Sequence, residues 1–329
     1  MKRDLYWDSL KFVLIFLVVY GHIVPFYLEG SQFNMAIFNS IYMFHMPLFV
    51  FVSGRFSHIR DRRRYKKGII HLIETYIVFQ IIKSVMLVIH GDDISLKCLI
   101  TPNWTLWYLV ALACWRLMVY VIPKERLKNP RRILLVSLTI SLLAGFIPVS
   151  HQFSVQRILS FLPFFFMGYY SINCDILSQI KKMPYIVSIL ILLVTFIFFY
   201  YFLNTNMYLI HHGSYSYWFD NMILSWKRFL GRCVFIPWSI VLSVMVMSLV
   251  PKKIYLAKWG RTTLFIYIYH SFAIREVLVP LIGRGFIPQN EILLFIYAVI
   301  ITYGLLFLSH LRILKILLNP ISALSDSLK

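Results

Sequence analysis

The sequence predicts an all-α integral membrane protein with about ten transmembrane helices and both termini in the cytoplasm. Three observations predict it. Of the 329 residues, 60% are hydrophobic and 14% charged, against roughly 45–50% and about 25% in soluble domains. The apolar residues come in repeated runs long enough to span a bilayer, which takes about 20 residues each. The net charge of +20 gathers in short connections between those runs. That is the pattern of membrane topology, not of a nucleic-acid face, and no nucleic-acid partner is expected.

The runs follow one another along the chain. The first, 9–28, stands behind Lys2 and Arg3 as a signal peptide would. It continues through Pro25 without a small-residue cleavage site, so it reads as a retained helix. The second, 36–56, holds His45 and Pro47 and ends at the basic stretch from Arg55 to Lys67. The third, 68–89, opens out of that stretch. The fourth, 103–122, begins WTLWYLVAL and carries Arg116, which reads as a snorkelling residue near the cytoplasmic end. The fifth, 132–149, follows the basic connection from Lys124 to Arg132. The sixth, 154–172, has Arg157 just inside its outer end. The seventh, 184–203, follows Lys181 and Lys182.

The longest outer connection, about 204–228, is aromatic and polar, with His211, His212, Tyr215, Tyr217, Trp218, Asp220 and Trp226. The eighth run, 229–250, ends before Lys252, Lys253, Lys258 and Arg261. The ninth, 260–282, carries His270, and the tenth, 290–317, ends with Arg312 and Lys315. The N-terminus, the even-numbered connections and the C-terminus together hold 24 of the 33 Lys and Arg residues. Lys and Arg concentrate in cytoplasmic loops, which places both termini there. With no internal repeat and no linker of soluble-domain size, residues 1–329 read as one polytopic membrane domain. The four cysteines, Cys98, Cys114, Cys174 and Cys233, form no CxxC pair. Neither a metal site nor a disulfide framework is expected from them.

Ionisable side chains inside a bilayer are costly and are functional candidates by default. The first helix carries Asp4, Asp8, Lys11 and His22. At about 100° per residue they form one stripe, running from the cytoplasmic end into the membrane. Such a stripe must face the bundle interior or a wet cavity. At 1.5 Å per residue, His22 and His45 both come about 18 Å deep in a roughly 30 Å core, and His270 about 15 Å. Shared depth is the geometric condition for a joint site. A neutral imidazole there can take the proton of a sugar hydroxyl as that hydroxyl attacks a thioester. Lys11 and the basic cluster that includes Arg60, Arg63 and Arg64 suit phosphates arriving from the cytoplasm. Trp104 and Trp107 lie near the outer surface, where aromatic faces stack on sugar rings, although interfacial belts place Trp there in any case. Arg157 suits an anionic or polar acceptor.

The segment Asp8-x-x-Lys11, ten intervening residues and then His22 resembles the opening of the integral-membrane acyltransferase type three family. FHMPLFVFVSG (44–54) with its basic loop, WTLWYLVAL (104–112), FLPFFFMGYY (161–170) and GRTTLFIYIYH (260–270) are similar to its later segments. The resemblance spans nearly the whole chain and is closest to the fucose-4-O-acetylase-like branch. It implies about ten helices and acyl-CoA, in the first instance acetyl-CoA, as a cytoplasmic donor rather than a resident cofactor. It also implies a glycan or lipid-linked sugar as acceptor, on the outer face or in a transmembrane cavity. His22 falls in the place of the catalytic histidine and Lys11 in that of its basic partner. Asp8 and His45 join them as candidate catalytic residues. Arg60, Arg63 and Arg64 are the donor-site candidates; Trp104, Trp107, Arg157 and His270 are the acceptor-site candidates. The family's basic-x-x-basic pattern fits both Arg60/Arg63 and Arg64/Lys67. Its usual proline-aromatic start to the third helix is replaced by LIETYIVF (72–79).

The expected activity is an O-acyltransferase in a bacterial inner membrane, in contact with lipid throughout. A transporter or flippase for a lipid-linked glycan would also use a polar cavity, but many transporters show an inverted repeat, and none is evident here. A non-catalytic scaffold leaves the stripe on the first helix without a purpose.

Overall fold

A computed structural model describes residues 4–91, 101–147, 154–203, 213, 217 and 222–318. All regular structure among them is helical, with no strand. Each of the ten apolar runs forms helix. Seven helical stretches are long and apolar enough to cross a membrane: Leu5–Tyr27, Gln32–Arg55, Arg62–Ile89, Trp104–Val121, Ser225–Leu249, Ile254–Gly283 and Glu291–Leu308. Of the outer connection, Gly213, Tyr217 and the residues from 222 onward are described. His211, His212, Tyr215, Trp218 and Asp220 lie outside the described residues.

The principal helices are α1 (Leu5–Ile23), α2 (Gln32–Arg55), α3 (Arg62–Ile89), α4 (Trp107–Val121), α5 (Pro130–Leu143), α6 (Val155–Ser160), α7 (Leu162–Tyr170), α8 (Tyr185–Tyr201), α9 (Met222–Leu249), α10 (Thr263–Phe272) and α11 (Glu291–Leu308). The described residues gather into two compact units. One holds 4–49, 175–203 and 234–311; the other holds 50–147, 154–174, 213, 217, 222–233 and 312–318.

In the first unit α1 is central, packed against helix Ile254–Trp259, α10 and α11. Leu10, Leu14, Ile15, Val18, Val19 and Ile23 are fully buried. α1 starts four residues earlier than the apolar run, because the Asp4 side chain caps it by accepting from the Tyr6 amide at 3.0 Å. Two hydroxyls near its start fasten it: Tyr6 donates to the Met247 carbonyl at 2.6 Å and Ser9 to the Lys253 carbonyl at 3.0 Å. Gly260 lies directly on the Asp8 carbonyl, where a Cβ would overlap it. Pro47 interrupts α2. It has no N–H to give the Met43 carbonyl one turn back, and the Ser239 hydroxyl of α9 supplies the missing donor at 2.6 Å. α8 shows Ile186, Ile189, Leu190, Leu193 and Val194 on its surface, as a lipid-facing helix does.

α10 passes into one π-helical stretch, Ala273–Leu278, before Val279–Gly283. Pro280 lacks the amide that would bond the Glu276 carbonyl, so the α-helical ladder is interrupted there.

In the second unit α3 packs along α4, and α5 along α6 and α7. The last turns of α2 cross α7 at backbone contact. A Cβ on Gly54 would overlap the Phe165 carbonyl, and one on Gly168 the Phe51 carbonyl. Small residues at both helices permit that approach. The sixth apolar run differs from expectation: it breaks at Phe161 into α6 and α7, with Pro163 in the first turn of α7. Proline is tolerated at a helix start and not within one. Trp115 spans the break from α4, its indole N–H donating to the Ile158 carbonyl at 2.9 Å.

Candidate active site

The stripe on α1 has two levels. At its lower end Asp8 is buried and Lys11 half-buried, and Lys11 Nζ lies 3.0 Å from Asp8 Oδ1. The pair sits one turn apart on the same face, so each charge is compensated where the Gly260 backbone closes over Asp8. Asp4, also placed in the stripe by its spacing, serves as the cap of α1.

Eleven residues further, about 16 Å along the axis, His22 occupies the last turn of α1 and is half-buried. Its ring lies 5.2 Å from that of His270, inclined by 36°. Its Nδ1 is 3.4 Å from the Tyr42 hydroxyl. Tyr42 in turn packs edge-on to His45, ring centres 4.5 Å apart. α1, α2 and α10 thus bring His22, His45 and His270 together around one tyrosine.

His45 and His270 are fully buried and held alike. Each donates its Nδ1 proton to the carbonyl one turn back, Ile41 at 2.8 Å and Ile266 at 3.1 Å. That donation fixes the tautomer of the neutral ring and puts the lone pair on Nε2. His22 has no such backbone anchor in its own helix. Its orientation comes from Tyr42 and His270, and it is the most accessible of the three. Chemically, the group offers a partly exposed imidazole beside a phenol, with two further imidazoles whose protons are already committed.

The remaining predicted residues belong to the second unit. Arg60, Arg63 and Arg64 are exposed at the turn after α2 and in the first turn of α3. Asp61 caps that helix, accepting from the Arg64 amide at 2.6 Å. In the same turn His58 stacks on the Tyr169 ring at 4.0 Å and donates to the Tyr169 carbonyl at 2.6 Å. Burial lowers its pKa, the carbonyl bond opposes this, and Arg55 and Arg60 lower it further.

Trp104 adopts φ +38°, and the Lys83 ammonium lies 5.8 Å from its ring. Trp107 is buried, stacked on Phe161 at 5.6 Å, with the Arg157 guanidinium 5.2 Å from its ring. Its aromatic surface is therefore engaged by protein, and of the two tryptophans Trp104 is the more open.

Three residues of interest were not singled out by sequence. Tyr42 is one of 21 tyrosines, and nothing in its spacing marks it. Arg232 is 2% exposed in α9 and donates to the Ser141 carbonyl at 3.2 Å and to the Ser160 hydroxyl. An arginine inside the eighth apolar run was the available signal. Arg116 does not extend along its own helix as a snorkelling residue would; it reaches across to Ser57 at 3.4 Å. Among the described residues no group of three or more His, Cys, Asp or Glu side chains is arranged to hold a metal ion.

A family model described as "Acyltransferase domain" matches residues 4–311. The chain is also similar to two curated proteins over a short segment. It is 44% identical over 56 residues to the nodulation protein NolL of Sinorhizobium fredii, covering 16% of this chain and 15% of that protein. It is 44% identical over 59 residues to the nodulation protein NolL of Mesorhizobium japonicum, covering 17% and 16%. The match thus spans about a sixth of the length of these curated relatives. No solved structure matches.

Proposed function

The chain belongs to the integral-membrane acyltransferase type three family, and from that membership we propose that it is an O-acyltransferase, acetyl-specific in the first instance, with His22 as general base. The donor is acyl-CoA from the cytoplasm. The acceptor is a hydroxyl of a cell-surface or lipid-linked glycan, on the far side of a bacterial inner membrane. The observation that carries the reading is the meeting of His22 with Tyr42 and His270, where the α1 stripe ends. A catalytic base must be held in one orientation by its neighbours and still be reachable by substrate. His22 combines both; the fully buried His45 and His270 do not.

The reaction follows from ring geometry. With His22 Nδ1 donating to the Tyr42 oxygen, Nε2 carries the lone pair. The acceptor hydroxyl passes its proton to Nε2 as its oxygen attacks the thioester carbonyl. The tetrahedral intermediate collapses, the carbon–sulfur bond breaks, and the departing thiolate takes the proton from the imidazolium. His270 and His45 line the site as neutral rings. Asp8 sets the position of Lys11, and Lys11, Arg60, Arg63 and Arg64 attract the donor's phosphates from the cytoplasmic side. Trp104 and Arg157 suit the sugar and its polar groups at the outer side.

Family membership weighs against a flippase, which has no use for acyl-CoA. The test is His22→Ala in purified protein, reconstituted and checked for folding by thermal unfolding. Transfer from acetyl-CoA to a glycan acceptor should be lost while folding is kept. Near-normal transfer would remove His22 from the mechanism.

A further inference from the structure

The start of α3 and the end of α4 run side by side, and their contacts repeat with helical spacing. Arg62, Tyr65 and Gly68 share one face of α3; Arg116 and Tyr120 share one face of α4. The Arg62 guanidinium lies 4.6 Å from the Tyr120 ring. Tyr65 and Tyr120 are parallel, 8° apart in tilt with ring centres at 6.4 Å. The Tyr65 hydroxyl donates to the Arg116 carbonyl at 3.2 Å. A Cβ on Gly68 would stand 3.4 Å from Arg116 Nη1, so the glycine leaves room for the guanidinium to lie across α3.

Arg116 is half-buried there, and it has few acceptors. Its Nε donates to Ser57 Oγ at 3.4 Å, the outer limit of a hydrogen bond. Ser57 itself donates to the Ser53 carbonyl at 2.7 Å, and Ser53 bonds Tyr108. Among the described residues no carboxylate comes within ion-pair distance of Arg116, Glu74 of the same α3 included. A guanidinium has five donors in a planar fork; this one has a single long bond, and both Nη groups are uncommitted. An arginine inside a spanning segment, without a counter-charge, is costly unless something anionic completes it.

We infer that Arg116, with Arg62 and the Tyr65–Tyr120 pair, binds a phosphate group carried by an aromatic nucleotide, the phosphorylated end of the acyl donor. The fork supplies two parallel bonds to phosphate oxygens, and the tyrosine rings with Arg62 supply a stacking wall for a purine. This rests on the donor reading above and deepens it. It moves phosphate recognition from the exposed arginines of the turn to a guanidinium that folding has already oriented. An anionic lipid headgroup carries the same phosphate chemistry, so the experiment separates the two sources.

Full-length protein is placed in nanodiscs of neutral phosphatidylcholine. Binding of coenzyme A and of pantetheine is measured for the wild type, Arg116→Gln and Arg116→Lys. Transfer is measured from acetyl-CoA and from the phosphate-free donor acetyl-pantetheine. Arg116→Gln should weaken coenzyme A binding and raise KM for acetyl-CoA by about tenfold to a hundredfold, the loss expected for a charge-assisted hydrogen bond. Pantetheine binding and acetyl-pantetheine turnover should stay at wild-type levels, which also shows that the variant folds. Arg116→Lys, with the charge but not the fork, should fall between. Equal losses with both donors, or an unchanged affinity for coenzyme A, overturn the assignment. So does loss of bound phosphatidylglycerol in anionic nanodiscs with coenzyme A affinity intact, which gives the guanidinium to a headgroup. A wild-type protein that does not bind coenzyme A refutes the donor reading itself, a failure distinct from that of Arg116.

Discussion

Ser239→Ala should destabilise the protein strongly only while Pro47 is present. Pro47 leaves the Met43 carbonyl without its helical donor, and the Ser239 hydroxyl, 2.6 Å away, replaces it. With both helices in an apolar solvent, no water stands ready to take over, so an orphaned carbonyl costs about 1–3 kcal/mol. Pro47→Ala provides an amide at position 47 that can reach Met43, after which Ser239 is no longer needed. The two substitutions should therefore couple. Interhelical bonds inside membrane proteins give coupling energies averaging about 0.6 kcal/mol and reaching about 1.7. This contact is short and buried at both ends, and it belongs in the upper half of that range. The assay is a four-protein cycle: wild type, each single variant and the double, unfolded by titrating a denaturing detergent into mixed micelles. Independent sites add to within about 0.3–0.5 kcal/mol. Additivity at that level would refute the claim that the hydroxyl substitutes for the missing amide.

Three further outcomes are expected. Gly260→Ala should cost several kcal/mol, about 3 or more by analogy with overpacking and backbone strain, because its Cβ falls on the Asp8 carbonyl; thermal unfolding should show a large loss, and a change within experimental error would show that α1 can shift freely. Lys11→Met should be more damaging to stability than the double variant Asp8→Asn/Lys11→Met, since the single change leaves the buried Asp8 charge without its partner; a double variant less stable than the single would contradict this. His58 has a folded-state pKa below its ordinary value of about 6.5. The folded state therefore holds fewer protons on that ring than the unfolded state, and its contribution to stability, full above about pH 6.5, is lost as pH falls below that value. The melting temperature of the wild type should drop more between neutral and mildly acidic pH than that of His58→Gln, and equal drops would remove the Tyr169 contact as the cause.

Helix positions were legible because a spanning helix must be long and apolar, and such runs stand out without any knowledge of packing. Depth was legible too: a fixed rise per residue put His22, His45 and His270 at one level, and the structure joins them through Tyr42. Bearing was not. Which side of α2 meets α1 depends on how several helices pack at once, and one sequence does not encode that locally. Hence Tyr42 went unmarked and Arg116 was read as pointing to water along its own helix. Trp107, placed at the surface by its position in the run, is instead covered by Phe161 and Arg157. The break at Phe161 did have a local signal in Pro163, outweighed by the unbroken apolarity of the run.

The π-helical stretch Ala273–Leu278 carries one residue more than the α-helix would use over the same rise. Deleting a single codon there would let the backbone close into ordinary α-helix. His270, upstream, would keep its bearing toward His22, while everything from Val279 to the following loop would swing by about 100°. A one-residue gap at this place in a related gene would thus leave the imidazole cluster untouched and re-aim the segment beyond it, a route to a different acceptor that requires no change in the chemistry.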